Sequence, residues 1–157
     1  MNYSPITENL IVGTSPARRD FDLLRELGVT LVINMRWMPG PRPPKNDPAL
    51  RYIRFRTFDN PFLPIPLRAL IQGVQLALEE IQAGGKVYTH CAAGRHRSVA
   101  MAAAILIAQG RPIEEAMALI KQQRPIADPQ AFHIRRRIEL FAERWPLLLP
   151  AETVTAE

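Results

Sequence analysis

Cys91 is the only cysteine in the chain, Arg97 follows six residues later, and Ser98 comes next. Between them run Ala92, Ala93, Gly94, Arg95 and His96. Lys86 to His90 reads as a short strand, and Ser98 to Gln109 reads as a helix that is apolar on nearly every side. A seven-residue loop, Cys91 to Arg97, therefore leads from a strand into a buried helix. Such a loop can turn successive backbone N–H groups inward and form an anion nest. The helix N-terminus adds unpaired donors and partial positive charge. A thiol held there is stabilised as its thiolate, the reactive form, so Cys91 is a candidate nucleophile. Ala92, Ala93 and Gly94 leave room for a tetrahedral anion. Arg97 can curl back and grip two of its oxygens bidentately. Ser98 can donate a hydrogen bond to the sulfur. The competing reading is an inert cysteine at the end of a core strand.

The rest of the chain must position that loop. Its 157 residues suit one domain with a hydrophobic core, residues 1–150, with a disordered tail from 151 to 157. A composition of 47% hydrophobic and 22% charged residues is that of a globular protein. Strands are expected at 9–13, 29–34, 51–56 and 86–90. Helices are expected at 17–27, 66–82, 98–109, 112–123 and 130–145. Met38 to Pro48 holds five prolines and must be a loop. Strands alternating with helices predict an α/β domain with a mostly parallel sheet flanked by helices. Ligands then bind at the carboxyl ends of the strands, where Cys91 falls.

Several classes are excluded or disfavoured. The longest run without a polar residue, Val99 to Ala108, is half of the roughly 20 residues a membrane span needs. The N-terminus has no basic-then-apolar pattern of a signal peptide. One cysteine makes no internal disulfide, and His90, His96 and His133 do not fall at zinc-ligand spacing, so no structural metal is expected. The expected location is cytoplasmic. The net charge of +5 rests on 17 arginines and 3 lysines and suits anionic partners. Arg135-Arg136-Arg137 reads as a solvated helix face, with Arg135 able to pair with Glu139, and no nucleic-acid partner is expected.

His90-Cys91-Ala92-Ala93-Gly94-Arg95-His96-Arg97-Ser98 resembles the H-C-x5-R-S/T signature of the cysteine-based protein tyrosine phosphatase superfamily. The chain length and the Arg-Ser ending resemble its compact dual-specificity branch, over roughly residues 9–145. The resemblance implies phosphomonoester hydrolysis through a phosphocysteine intermediate, without cofactor or metal. It also implies that residues 92–97 bind the phosphate and that His90 lies behind the loop and orients Cys91.

The leaving oxygen then needs a proton donor. Five aspartates are available, at 20, 22, 47, 59 and 128. Asp59 and Asp128 both lie in loops after or before predicted elements. The family carries its acid on a loop after a strand, about thirty residues before the cysteine, which implies Asp59, with Asp128 in reserve. The substrate reads as phosphotyrosine and phosphoserine/threonine in proteins. The alternative is a phosphoinositide or other phospholipid, since Arg95 and His96 add positive charge and Gly94-Arg95 resembles the mitochondrial-type lipid phosphatases. Ala92 stands where phosphoinositide-selective relatives often carry lysine. RNA 5′ ends have no further support. Outside this class stand a phosphate-binding module without catalysis and a sulfurtransferase, which would leave Asp59 without a role. A lone low-pKa thiolate is also expected to be inactivated reversibly by peroxide.

Overall fold

The computed structural model describes residues 1–149. The expected disordered tail, 151–157, lies outside them. Five strands run β1 (Tyr3–Thr7), β2 (Leu10–Gly13), β3 (Leu31–Asn34), β4 (Arg51–Arg54) and β5 (Val87–His90). Five α-helices are α1 (Asp20–Glu26), α2 (Leu67–Gln82), α3 (Arg97–Ala108), α4 (Ile113–Gln123) and α5 (Phe132–Arg144). A short 3-10 turn, Trp145–Leu148, follows.

The strands form one sheet in the order β1-β2-β5-β3-β4. All neighbours are parallel except β1, which pairs antiparallel with β2 at the edge. The expected α/β architecture is thus present. β1 is not among the strands expected from the sequence, and it contains Pro5. An edge strand tolerates proline because one row of its N–H groups needs no partner. The pairing of β1 is irregular between Pro5 and Thr7.

β5 lies between β2 and β3, so Val87 to His90 are buried on both faces, which is why this strand shows no alternation. One face carries α2 to α5 around a core of aliphatic side chains, and the other carries α1 through Phe21 and Leu24 against Val32, Leu50 and Tyr88. α3 is the central helix: Ser98 to Leu106 are all buried, as an all-round apolar segment requires. α2 reaches it closely at Gly73, where a Cβ would lie 2.3 Å from Met101 Cε. α1 begins at Asp20 instead of Ala17, because the Asp20 carboxylate accepts from the Ala17 N–H at 2.7 Å and holds 17–19 as a turn. β4 is shorter than expected and ends at Arg54. The Phe55 N–H still donates to Asn34 O at 2.8 Å before the chain leaves the sheet toward Asp59.

Candidate active site

The loop between β5 and α3 is shaped by where its carbonyls go. His90 Nδ1–H donates to the Cys91 carbonyl at 3.2 Å. The Ser15 N–H donates to Ala92 O at 3.3 Å. Arg124 donates from Nη2 to Ala93 O at 3.1 Å and from Nε to Gly94 O at 2.6 Å. The Asp128 N–H donates to Arg95 O at 2.9 Å. Five consecutive carbonyls are thus tied to the outside of the loop. In a planar trans peptide the following N–H points the opposite way, so five consecutive amides face the inside. That is an anion nest built by its outer wall. Gly94 is the residue that lets the loop turn: its φ is +65°, and a Cβ there would lie 2.6 Å from Gly13 O and 2.7 Å from Arg124 Nη2.

Cys91 Sγ sits at the base of the nest, buried, with the Ser98 hydroxyl 3.3 Å away. Burial by itself pushes the thiol up. Hydrogen bonds from the Ser98 hydroxyl and from the N–H groups of Ser98 and Arg95, with the Arg97 charge, outweigh it and bring the thiol below its ordinary value. The thiolate is therefore more populated than that of an ordinary thiol.

Arg97 opens α3 and is fixed from one side only. Its Nη1 donates to Thr57 O at 2.8 Å and Met35 O at 3.2 Å, and the Thr57 hydroxyl donates to the same Met35 carbonyl at 2.6 Å. Its Nε is buried without a hydrogen-bond partner among the described residues. A buried unpaired donor on a charged group is costly, so this atom awaits an acceptor.

Asp59 lies on the loop after β4, followed at once by a tight turn in which the Leu63 N–H donates to Asn60 O and the Phe62 N–H to Asn60 Oδ1. Its carboxylate meets two imidazoles: His96 Nδ1 at 2.8 Å from Oδ2 and His133 Nε2 at 2.8 Å from Oδ1. Partial burial works to raise its pKa, but the two imidazole hydrogen bonds and the charges of His96 and Arg97 hold it below the usual carboxylate range. His90 is buried behind the loop. Desolvation, aided by the Arg36 charge and resisted by its bond to the Cys91 carbonyl, lowers it to about 4, so it is neutral.

The structure thus gathers Cys91, Arg97, Ser98, Asp59, His90 and the 92–96 backbone at one end of β5. Two side chains stand differently from the sequence expectation. Arg95 contributes its amide to the nest, while its guanidinium is more than half exposed and lies 3.7 Å from Asp128. His96 faces Asp59 with one nitrogen and lies 3.8 Å from Asp128 with the other. Both side chains lie beside carboxylates. The expectation of no metal rested on spacing along the chain; folding brings His96 and His133 together, with ring centroids 5.3 Å apart.

Sequence reading missed Arg124, Thr57 and His133. In the sequence Arg124 stands just past the end of the helix expected at 112–123. Its signal was available: Ala116, Met117 and Ile120 form the buried stripe of that helix, and position 124 continues it. Arg124 is itself buried, and its Nη1 also reaches Asn2 Oδ1 at 3.0 Å and Ser4 Oγ at 3.1 Å, tying β1 to the loop. Thr57 and His133 carry no local signal. Trp37 stacks on Phe58 with ring centroids 4.5 Å apart, Arg36 donates to Ser15 Oγ, and Arg42 lies over the Tyr52 ring. Arg135 pairs with Glu139 and Glu114, as a solvated face would.

Comparison with known proteins agrees with this geometry. Residues 10–142 match the family model of the dual specificity phosphatase catalytic domain. Human dual specificity phosphatase 28 is 32% identical over 127 residues, covering 79% of this chain and 69% of its own length. A crystal structure of a variant of human DUSP28 superposes with a TM-score of 0.82 at 26% identity, over 94% of this chain and 98% of the other. PTPMT1 in complex with PI(5)P superposes with a TM-score of 0.78 at 27% identity, over 94% of this chain and 99% of the other. The nest, the thiolate and these relatives agree: the chain belongs to the dual specificity phosphatase family and is a cysteine-dependent phosphatase.

Proposed function

We propose that this chain removes phosphate from phosphotyrosine and phosphoserine/threonine in proteins, with Cys91 as nucleophile and Asp59 as acid and base. The observation that carries the reading is the unpaired buried Nε of Arg97 beside a thiolate ringed by inward amides. A phosphoryl group placed on Cys91 would give that nitrogen its acceptor and give the nest its anion. In the first step the Cys91 sulfur pair forms the S–P bond as the bond from phosphorus to the leaving oxygen breaks. The proton on Asp59 goes to that oxygen. In the free enzyme Asp59 is held as carboxylate, and the dianionic substrate, arriving beside it, favours its protonated form. In the second step water attacks phosphorus and gives its proton to Asp59. The P–S bond breaks, and the Ser98 hydroxyl stabilises the returning thiolate. His90 holds the Cys91 carbonyl and so the direction of the nest.

The test is phosphate release from phosphotyrosine, phosphothreonine and phosphoinositide substrates by the wild type and by Cys91→Ser and Arg97→Lys. Turnover by the wild type and none by Cys91→Ser is expected, with a loss of about 10²–10³-fold in Arg97→Lys, since lysine offers a point charge in place of a fork. Equal turnover by Cys91→Ser overturns the mechanism. A lipid substrate is the second reading, supported by the likeness to PTPMT1, seen with PI(5)P. Phosphoinositide leading the panel would decide for it. The cytoplasm is the compartment proposed, because a lone working thiolate needs a reducing surrounding. A fluorescent fusion confined to another compartment would overturn that.

A further inference from the structure

The Asp59–His96–His133 cluster has the makings of a cation site that the phosphatase reaction does not require. One carboxylate oxygen and one nitrogen from each ring lie within 4.8 Å of one another. The three residues come from three separate segments: the loop after β4, the end of the nest and the first turn of α5. Each side chain is partly open, 34% for Asp59, 20% for His96 and 19% for His133, so solvent reaches the cluster. A tetrahedral zinc ion holds its ligand atoms about 3.3 Å apart at ordinary bond lengths, so small side-chain rotations suffice. A second feature is independent of that convergence. The far nitrogen of His96, Nε2, lies 3.8 Å from Asp128 Oδ2, and the Asp128 N–H is anchored on Arg95 O. A carboxylate behind the outer nitrogen of a ligating imidazole fixes its tautomer and raises its basicity. The Asp128 charge favours the tautomer with its proton on Nε2, which leaves the Nδ1 lone pair to face inward. Arg97 and Arg95 oppose a cation here, and the charges of Asp59 and Asp128 offset them.

We propose that Asp59, His96 and His133 form a binding site for a borderline divalent cation of the Zn²⁺ type, and that its occupancy switches the phosphatase off by engaging the acid. The ion replaces the two imidazole protons that now face Asp59 and leaves a fourth position open to water. A carboxylate bound to it carries no proton to a leaving group. The inhibitory part rests on Asp59 being the acid; the binding part does not.

The thiolate of Cys91 is itself a zinc ligand, so the first experiment removes it. Zn²⁺ alone is titrated calorimetrically into chelator-treated Cys91→Ser protein and into Cys91→Ser/His133→Ala, with thermal unfolding showing that both are folded. One ion per chain is expected in the first, with at least tenfold weaker binding in the second. If His133→Ala is unfolded, Cys91→Ser/His133→Phe or Cys91→Ser/His96→Gln replaces it. Absent binding to Cys91→Ser, or equal affinity in the folded variants, overturns the site. The second experiment adds Zn²⁺ to the Cys91 enzyme and compares substrates. Stronger inhibition of a phosphoserine peptide than of an aryl phosphate with an acidic phenol is expected, because only the former needs the acid. Equal inhibition of both overturns the switch and assigns the effect to the thiolate. Full activity of Asp59→Asn on the phosphoserine peptide would overturn the acid reading and leave the calorimetric result standing.

Discussion

At the scale of single residues, Ser98 and Arg124 act on Cys91 from opposite sides of the loop. Ser98 touches the sulfur itself. Replacing it by alanine removes a hydrogen bond to the charged form, so the thiol pKa rises. The depressed thiol of the wild type is ionised at a pH where an ordinary thiol is not, and Ser98→Ala is expected to move its iodoacetamide alkylation midpoint to higher pH. An unchanged midpoint would show that the amides alone hold the thiolate. Arg124 never approaches the sulfur closely enough to bond it; it bonds the carbonyls whose reverse sides are the nest. Arg124→Leu strands the buried Gly94 carbonyl and the partly buried Ala93 carbonyl, and the expected loss is about 3 kcal/mol in urea unfolding, with kcat/KM for phosphate release falling alongside. Stability without that loss would mean that water replaces the guanidinium.

The loop from β5 to α3 is an element whose shape is set by one left-handed residue and by what surrounds it. Gly94→Ala places a methyl group against the Gly13 carbonyl and the Arg124 guanidinium at a φ that alanine resists. The collision is with backbone, so the loop must move. Its amides then leave the positions that fit an anion, while β5 and α3 keep their buried contacts. We expect kcat/KM to fall by about a hundredfold, the scale of a misplaced oxyanion donor, and the thermal midpoint to fall by only a few degrees. An active Gly94→Ala enzyme would show that the nest tolerates displacement. The same element logic explains Asp59: the tight Asn60–Leu63 turn and the His96 and His133 bonds give a loop residue a fixed place.

Across the whole molecule, the site end of β5 carries a buried neutral histidine. In the unfolded chain His90 takes up a proton near pH 6.5, and in the folded protein it does so only at about 4. Between those values the unfolded state binds the extra proton, so stability rises with pH and is lost as pH falls through this window. The difference of about 2.5 units corresponds to roughly 3 kcal/mol. His90→Gln is expected to flatten the stability curve between pH 6.5 and 4 in urea unfolding. An equally steep curve in that variant would assign the acid limb to other groups.

Local chemistry made much of this legible in the residues. A strand, a cysteine, small residues with a glycine, an arginine and an apolar helix can be read in order because each is set by near neighbours. The expected helix α3, the parallel sheet and the place of Cys91 at a strand end follow from that local pattern. Asp59 was reached through family likeness, since nothing near it marks an acid. Only the tertiary structure decided the rest. β1 contradicts its own proline and is held by an edge. Arg124, Thr57 and His133 act from 33 residues after, 34 before and 42 after Cys91, on groups that meet through packing alone. The pairing of His96 and His133 on Asp59 depends on how α5 and the loop after β4 meet the start of α3. Side-chain types and spacing report on a turn of helix or a length of strand; convergence of distant segments is set by the shared core.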